Sequence, residues 1–340
     1  MIKYLSLFSG IGSPEQALKN IGVDYELIGF SEIDKYAVQS YCAVHGADSM
    51  LDDLGDITKI DIESLPVGEI DLVTHGSPCQ DFSVAGNNKG GDEGSGTRSS
   101  LMWNTVAICE HCKPKYVIWE NVKNVLSKKH KHNFDKYISE MNRIGYNNYY
   151  KVLNAKDFGV PQNRERIFVV SIRQDLNKSF TFPEGYDNGV RLKDLLEDEV
   201  DERYYINTEK TQKLIEEFKA TGKKQFKIKE ATKKGYTIAG EGDSINLEQP
   251  SSSTRRGRVG KQIANTLNTS NHQAVVQNYR IRKLTPLECW RLMGFKDEQF
   301  KKAEAVCSNS QLYKQAGNSI VVNVMEEIFK ELFKEELKQC

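Results

Sequence analysis

The first half of this chain alternates between two hydrophobic periods, and that alternation leaves few folds open. Short apolar runs read as strands: "IKYLSLF" (2–8), "YELIGF" (25–30), "EIDLVTH" (69–75), "PKYVIWE" (114–120), "YYKVLNA" (149–155) and "RIFVVSI" (166–172). Between them lie helix-like segments, among them "SPEQALKNIG" (13–22), "DKYAVQSYCAVHG" (34–46), "SLMWNTVAICEHC" (100–112) and "FDKYISEMNRIG" (134–145). Strand, helix, strand in repetition predicts an α/β fold: a doubly wound, mostly parallel sheet covered by helices.

From about residue 175 to 280 the regularity fades into stretches rich in Lys, Arg, Ser and Gly, such as "EFKATGKKQFKIKEATKKG" and "PSSSTRRGRVGK". Order returns with "LTPLECWRLMGF" and an amphipathic stretch, "SIVVNVMEEIFKELFKEEL" (319–337). The expected division is a first domain over 1–174, a second, smaller domain over 175–280, and a return segment over 281–340 whose final helix packs back on the sheet. The 340 residues suffice for a large core. Equal numbers of acidic and basic residues give no electrostatic sign of a nucleic-acid partner from the whole chain. No apolar run spans a bilayer and no signal-peptide pattern opens the sequence. Seven cysteines without framework spacing read as reduced thiols in a cytoplasmic setting, with no membrane association.

The chemistry is concentrated where strands end. In "LFSGIGS" (7–13) a glycine-rich turn joins a strand to a helix. Gly10 and Gly12 permit a close approach of backbone to ligand, and the helix start favours an anion. The same turn also suits an ordinary connection. Glu15 stands at the third position of the dinucleotide pattern, where a carboxylate repels pyrophosphate. Glu32, just past the second strand, is placed to hydrogen-bond ribose hydroxyls or to start a helix. "GSPCQDFS" (76–83) puts Cys79 in a turn beyond another strand end, where turn amides raise the thiolate fraction. The following "VAGNNKGGDEGSGTRSS" reads as a lid or a surface loop. "WENV" places Glu120 and Asn121 at a strand end, and "QNRER" sets Arg164 and Arg166 two apart, on one side of an extended segment. A thiol with a carboxylate supplies a nucleophile and a proton donor, whereas the arginines suit anionic or carbonyl oxygens or a surface ion-pair ladder.

In order, "FSGIG", "SEIDK", "GDIT", "GSPCQDFS", "ENV", "QNRER", "RKLTPLECWRLMGF" and "QAGNSI" resemble the motif series of the bacterial and phage cytosine-5 DNA methyltransferases. The resemblance runs from about residue 4 to 330 and omits the stretch where that family carries its variable target-recognition domain. It implies a Rossmann-like methyltransferase domain, S-adenosylmethionine as cofactor and double-stranded DNA as partner. In that family pattern Cys79 adds to carbon 6 of a flipped-out cytosine, Glu120 holds ring nitrogen 3, Arg164 contacts the cytosine carbonyl, and Asn121 and Arg166 complete the catalytic set. Phe8, Gly10, Ile11 and Gly12 match the methionine side of the cofactor site, Glu32 the ribose acid, Asp56 and Ile57 the adenine contacts, Pro78 the neighbour of the nucleophile, and Asn318 and Ser319 the last motif. Ile33 stands where several relatives carry tryptophan over the adenine, so aliphatic contact replaces stacking. Ser13 stands where many carry glycine.

For DNA, the resemblance points to Ser83, to Arg98 in "GSGTRSS" and to Thr269 in "TLNT", and the basic segment 221–262 suits phosphate neutralisation. "CEHC" (109–112) lacks a second half-site, which argues against a metal. "HKH" (130–132) reads as exposed. The rival readings are a tRNA cytosine methyltransferase and a non-catalytic DNA-binding relative. A monomer is expected, with or without a cognate restriction endonuclease.

Overall fold

The computed structural model describes residues 1–48, 51–82, 90–207, 225–248, 254–270 and 272–337. The chain forms two compact units. One comprises 1–153, 165–184 and 324–340, the other 154–164 and 185–323.

The first unit is built on the strands anticipated above: β1 (Ile2–Leu7), β2 (Tyr25–Ser31), β3 (Leu72–His75), β4 (Tyr116–Val122) and β5 (Tyr146–Asn154). After the short β6 (Gln162–Asn163), which belongs to the second unit, β7 (Glu165–Arg173) completes a six-stranded sheet in the order β2-β1-β3-β4-β7-β5. The first four in space run parallel, and β7 runs antiparallel to β4. The sheet is therefore mostly parallel, and all four residues of β3 are buried because helices cover both faces.

The helices are α1 (Ser13–Asn20), α2 (Lys35–His45), α3 (Met102–Cys112) and α4 (Lys131–Arg143). Asp34 caps α2 by accepting from the Tyr36 N–H (3.0 Å), and Gly46 ends it with a left-handed φ of 75°. In α4, Phe134, Tyr137 and Met141 recur on one stripe and enter the core against Trp119, Val117 and Val169.

The second unit carries short strands: β8 (Gln225–Lys229), β9 (Tyr236–Gly240), β10 (Ser244–Asn246), β11 (Val259–Gly260), β12 (Ala264–Asn265), β13 (Gln273–Gln277) and β14 (Arg280–Lys283). β11, β10, β13 and β14 form one sheet, β8 pairs with β9, and β12 pairs with β6. Phe226, Ala239, Ile245, Ala274, Val276 and Ile281 fill its core. Helices α5 (Pro286–Arg291), α6 (Asp297–Glu304) and α7 (Asn309–Asn318) follow.

The compact units do not follow the expected boundaries at 174 and 280. Residues 281–323 belong with the second unit, because β14 straddles position 280 and pairs with β13 through Gln277–Arg280 and Ala274–Lys283. Arg282 then reaches Glu288 of α5 (2.6 and 2.8 Å), both fully buried. Residues 154–164 join this unit as well, through the pairing of β6 with β12. Of the return segment, only the part from Val324 onward groups with the first unit. Helix α8 (Val322–Leu332) enters the first unit from Val324 onward, where Lys178 Nζ bonds the Leu332 carbonyl (2.5 Å) and Phe333 lies edge-on to Tyr116 of β4.

Candidate functional site

Register across the sheet lines up four residues. Ser31 pairs with Leu7, Leu7 with His75, and His75 with Trp119. The segment after each carries one candidate cluster: Phe8 to Gly12, Glu32 and Ile33, Gly76 to Cys79, and Glu120 and Asn121. In an open parallel sheet, this carboxyl end is where ligands bind.

The turn after β1 is held in an unusual backbone. Phe8, Gly10 and Gly12 all have left-handed φ (53°, 58° and 76°). For Phe8 that conformation is costly and points to a constrained, functional loop. The two glycines differ in purpose. A Cβ on Gly10 would meet nothing within 4 Å, so its face is open to a ligand. A Cβ on Gly12 would fall 2.2 Å from His45 Nε2, so Gly12 makes room for a side chain of α2. His45 Nε2 in turn contacts the Ile11 carbonyl (3.0 Å), and the Ile11 side chain is buried.

Glu32 locks this turn. Its Oε2 accepts from the Gly10 N–H (2.9 Å), and its Oε1 from the N–H groups of Ile33 (2.9 Å) and Asp34 (2.8 Å). Burial pushes its carboxyl upward, and the three backbone donors oppose that rise. Beside it, the Ile33 side chain is 78% exposed. Asp56 caps the turn Ile57–Lys59 by accepting from the Thr58 N–H (3.0 Å) and hydroxyl (2.8 Å), which lowers its carboxyl. The Ile57 side chain is buried in the core.

Glu15 corrects an inference from sequence. It does not face the turn's ligand side. It is fully buried under α1, where its Oε1 accepts from the Tyr41 hydroxyl (2.8 Å) and burial raises its carboxyl.

The loop bearing Cys79 is braced from below. Trp119 Nε1 donates to Ser77 Oγ (3.0 Å), and Asn121 Nδ2 donates to the Ser77 carbonyl (3.1 Å). The Pro78 carbonyl accepts from the Ser99 hydroxyl (2.8 Å), and the Cys79 carbonyl from the Phe82 N–H (3.0 Å). Asn121 is 1% exposed, so it holds the loop and does not reach a substrate. Cys79 itself is half-buried. Cys109, Cys112 and Cys289 are buried, and burial raises each thiol, that of Cys112 to about 11. These three are inert by comparison. The bracing residues Trp119, Ser77 and Ser99 escaped the sequence reading, since nothing in their spacing marks them.

The paired arginines part company. Arg166 of β7 lies opposite Val122 of β4, diagonal to the Glu120–Phe168 pair and on the same face as Glu120. Its Nε sits 3.0 Å from Glu120 Oε1. Arg164, expected to contact the base, is 3% exposed. Its guanidinium donates to the carbonyls of Leu267 (3.1 Å), Gly317 (3.0 Å) and Ser319 (2.8 Å) in the second unit. Gln162 works alongside it, accepting from the Leu267 N–H (3.1 Å) and donating to the Leu292 carbonyl (2.7 Å). Arg164 is thus a tie between the "TLNT" and "GNSI" segments. A Cβ on Gly317 would fall 2.2 Å from the Asn268 carbonyl, so these segments are in direct contact.

Ser83 lies outside the described residues. Arg98 is exposed at the start of the turn Arg98–Leu101, and Thr269 is exposed beside Asn268. Asn318 is exposed at the end of α7, whereas Ser319 is buried. His130, expected at the surface, is buried edge-on to Phe82, while His132 is exposed and meets Asp92 (2.8 Å). Cys109 and Cys112 are core residues, and no cluster of metal-binding side chains occurs among the described residues. Among those residues, no helix is long and apolar enough to cross a membrane.

Residues 2–334 match the family model described as C-5 cytosine-specific DNA methylase. The orphan methyltransferase M.SPBetaI of Bacillus phage SPbeta is 36% identical, with 97% of each chain covered. The type II methyltransferase M.HhaI of Haemophilus parahaemolyticus is 33% identical over 96% of this chain and 93% of its own. Among solved structures, the Entamoeba histolytica methyltransferase EhMeth superposes with a TM-score of 0.68 at 18% identity, covering 99% of both chains. The S. pombe Dnmt2 methyltransferase does so with a TM-score of 0.63 at 20% identity, again over 99% of both. The structural likeness speaks to the fold, a Rossmann-like methyltransferase.

Proposed function

Because the chain belongs to the C-5 cytosine-specific DNA methylase family, we propose that Cys79, Glu120 and Arg166 of its first unit carry the reaction. The protein transfers a methyl group from S-adenosylmethionine to carbon 5 of cytosine in DNA. The Cys79 thiolate attacks carbon 6 of a cytosine swung out of the duplex, and the displaced electron pair makes carbon 5 nucleophilic. Glu120 engages ring nitrogen 3 and supplies the proton that keeps charge from building on the ring. Arg166 fixes the Glu120 carboxyl and takes the carbonyl role that sequence spacing gave to Arg164. The single observation that carries this choice is the 3.0 Å contact of Arg166 with Glu120. Once carbon 5 carries the methyl group, loss of its proton rebuilds the ring double bond and expels Cys79.

The first unit's own residues fit the cofactor. The open face of Gly10 leaves space for backbone approach, Glu32 stands at its rim for the ribose hydroxyls, and the exposed Ile33 offers an apolar surface to the adenine. Phe8, Gly12, Asp56, Ile57 and Pro78 shape that surface through backbone. When bound, S-adenosylmethionine supplies an electrophilic methyl group.

The segment 175–280 reads the target sequence, with Thr269 and Arg98 on phosphate. Relatives named as orphan and type II methyltransferases support a modifying enzyme acting alone or beside a cognate endonuclease. It works as a cytoplasmic monomer. The test is covalent trapping. Fluorine on carbon 5 cannot leave as a cation, so a duplex with 5-fluorocytosine at the target and S-adenosylmethionine captures the wild type in a complex stable to denaturing electrophoresis. Cys79→Ser forms none, because a neutral hydroxyl is a far weaker nucleophile. Trapping that survives Cys79→Ser overturns the assignment.

A further inference from the structure

Three hydrogen bonds converge on one buried residue that the mechanism does not use. Ser99 is 0% exposed. Its hydroxyl donates to the Pro78 carbonyl (2.8 Å) and accepts from the Asp81 N–H (3.1 Å). Its own N–H donates to Asp81 Oδ2 (3.2 Å). The backbone groups so held lie one residue before Cys79 and two after it. A serine hydroxyl carries one proton, and Pro78 takes it, so Ser99 has no donor left for a substrate.

Ser99 is also the second residue of the turn Arg98–Leu101, and the first, Arg98, projects into solvent. The turn has little slack. A Cβ on Gly91 would lie 2.9 Å from the Ser99 carbonyl, and Trp103 Nε1 pins the Gly91 carbonyl (2.9 Å). Movement imposed at Arg98 therefore passes through Ser99 to the backbone on both sides of the thiol.

We infer that Ser99 is a positioning residue that couples an anionic contact at Arg98, such as a DNA phosphate, to the geometry of Cys79. The inference rests on the reading of Cys79 as nucleophile. A thiol displaced by a fraction of an ångström loses its line of attack, and errors of about 1 Å cost on the order of 100-fold in rate.

Single-turnover formation of the 5-fluorocytosine adduct tests this, with cofactor and DNA affinities measured in parallel. Ser99→Ala slows adduct formation roughly 10-fold or more, while both dissociation constants stay within about twofold. Arg98→Ala slows the step in the wild-type background and has no further effect on it in Ser99→Ala, although it weakens DNA binding in both. Asp81→Ala removes the reciprocal acceptor and reproduces the loss if Ser99→Ala does not fold. An adduct rate unchanged in folded Ser99→Ala or Asp81→Ala overturns the positioning role, as do fully independent effects of Arg98→Ala and Ser99→Ala. A wild type that forms no adduct overturns the nucleophile reading instead.

Discussion

Glu15 and Arg164 mark where single-residue inference from sequence stops. Both were identified as charged residues close to a catalytic motif, and both turn inward. Spacing fixes where a side chain leaves the backbone, and burial decides what it meets. The same limit assigned the cytosine carbonyl to Arg164, whereas the partner of Glu120 is Arg166. Glu32 sits at a strand end, and its position there determines its neighbours, the N–H groups of Gly10, Ile33 and Asp34. Glu15 also gives a pH-dependent prediction. Burial raises its folded carboxyl above the ordinary glutamate value of 4.5. The folded state thus binds the proton more tightly than the unfolded chain, a contribution that is complete below that value and lost as pH rises toward the folded one. Glu15→Gln keeps an acceptor for the Tyr41 hydroxyl and removes the titration. Urea denaturation should show the variant at least as stable as wild type at pH 7, with its advantage vanishing near pH 4.5. A variant weakest at pH 7 would mean that the ionised carboxylate stabilises the fold.

Elements with a strong period were readable, and the short ones were not. Each of β1 to β5 was found within a few residues, because parallel strands buried on both faces give continuous apolar runs. The strands of the second unit run two to five residues and carry polar side chains, so they leave no period to detect. What organises them is pairing and one buried ion pair. Arg282 of β14 and Glu288 of α5 are both fully buried, and Glu288 also accepts from the Thr285 N–H (2.8 Å) to cap its own helix. Removing one partner strands the other charge away from water. Glu288→Ala should cost about 3–5 kcal/mol in urea denaturation, whereas exposed Arg143→Ala, which breaks a surface pair with Glu110, should leave the urea midpoint nearly unchanged. Equal losses would show that burial does not set the value of the Arg282–Glu288 pair.

For the whole molecule, the division into compact units determines how target specificity can be exchanged. A graft of 175–280 from a relative with another target cuts β14 at its first residue and separates Gln277 from Arg282, which are hydrogen-bonded. A graft of 185–323 carries β13, β14, α5 and the Arg282–Glu288 pair together. The second chimera should fold and methylate the donor's sequence, while the first should express poorly. Bisulfite sequencing of DNA from expressing cells reads the outcome, and a folded 185–323 chimera that keeps the original target would place specificity in the first unit. The aligned row of Ser31, Leu7, His75 and Trp119 carries a consequence for how such a chain can change in length. Side chains alternate along a strand, so one residue inserted within β3 would invert everything downstream and point the nucleophile loop into the packed helices. The row acts as a datum from which every catalytic loop is measured. Length can vary upstream of it, in the turns between Lys59 and Gly68, and downstream beyond the braced Cys79 loop. Between those stretches the strand behaves like a reading frame, intolerant of any odd insertion.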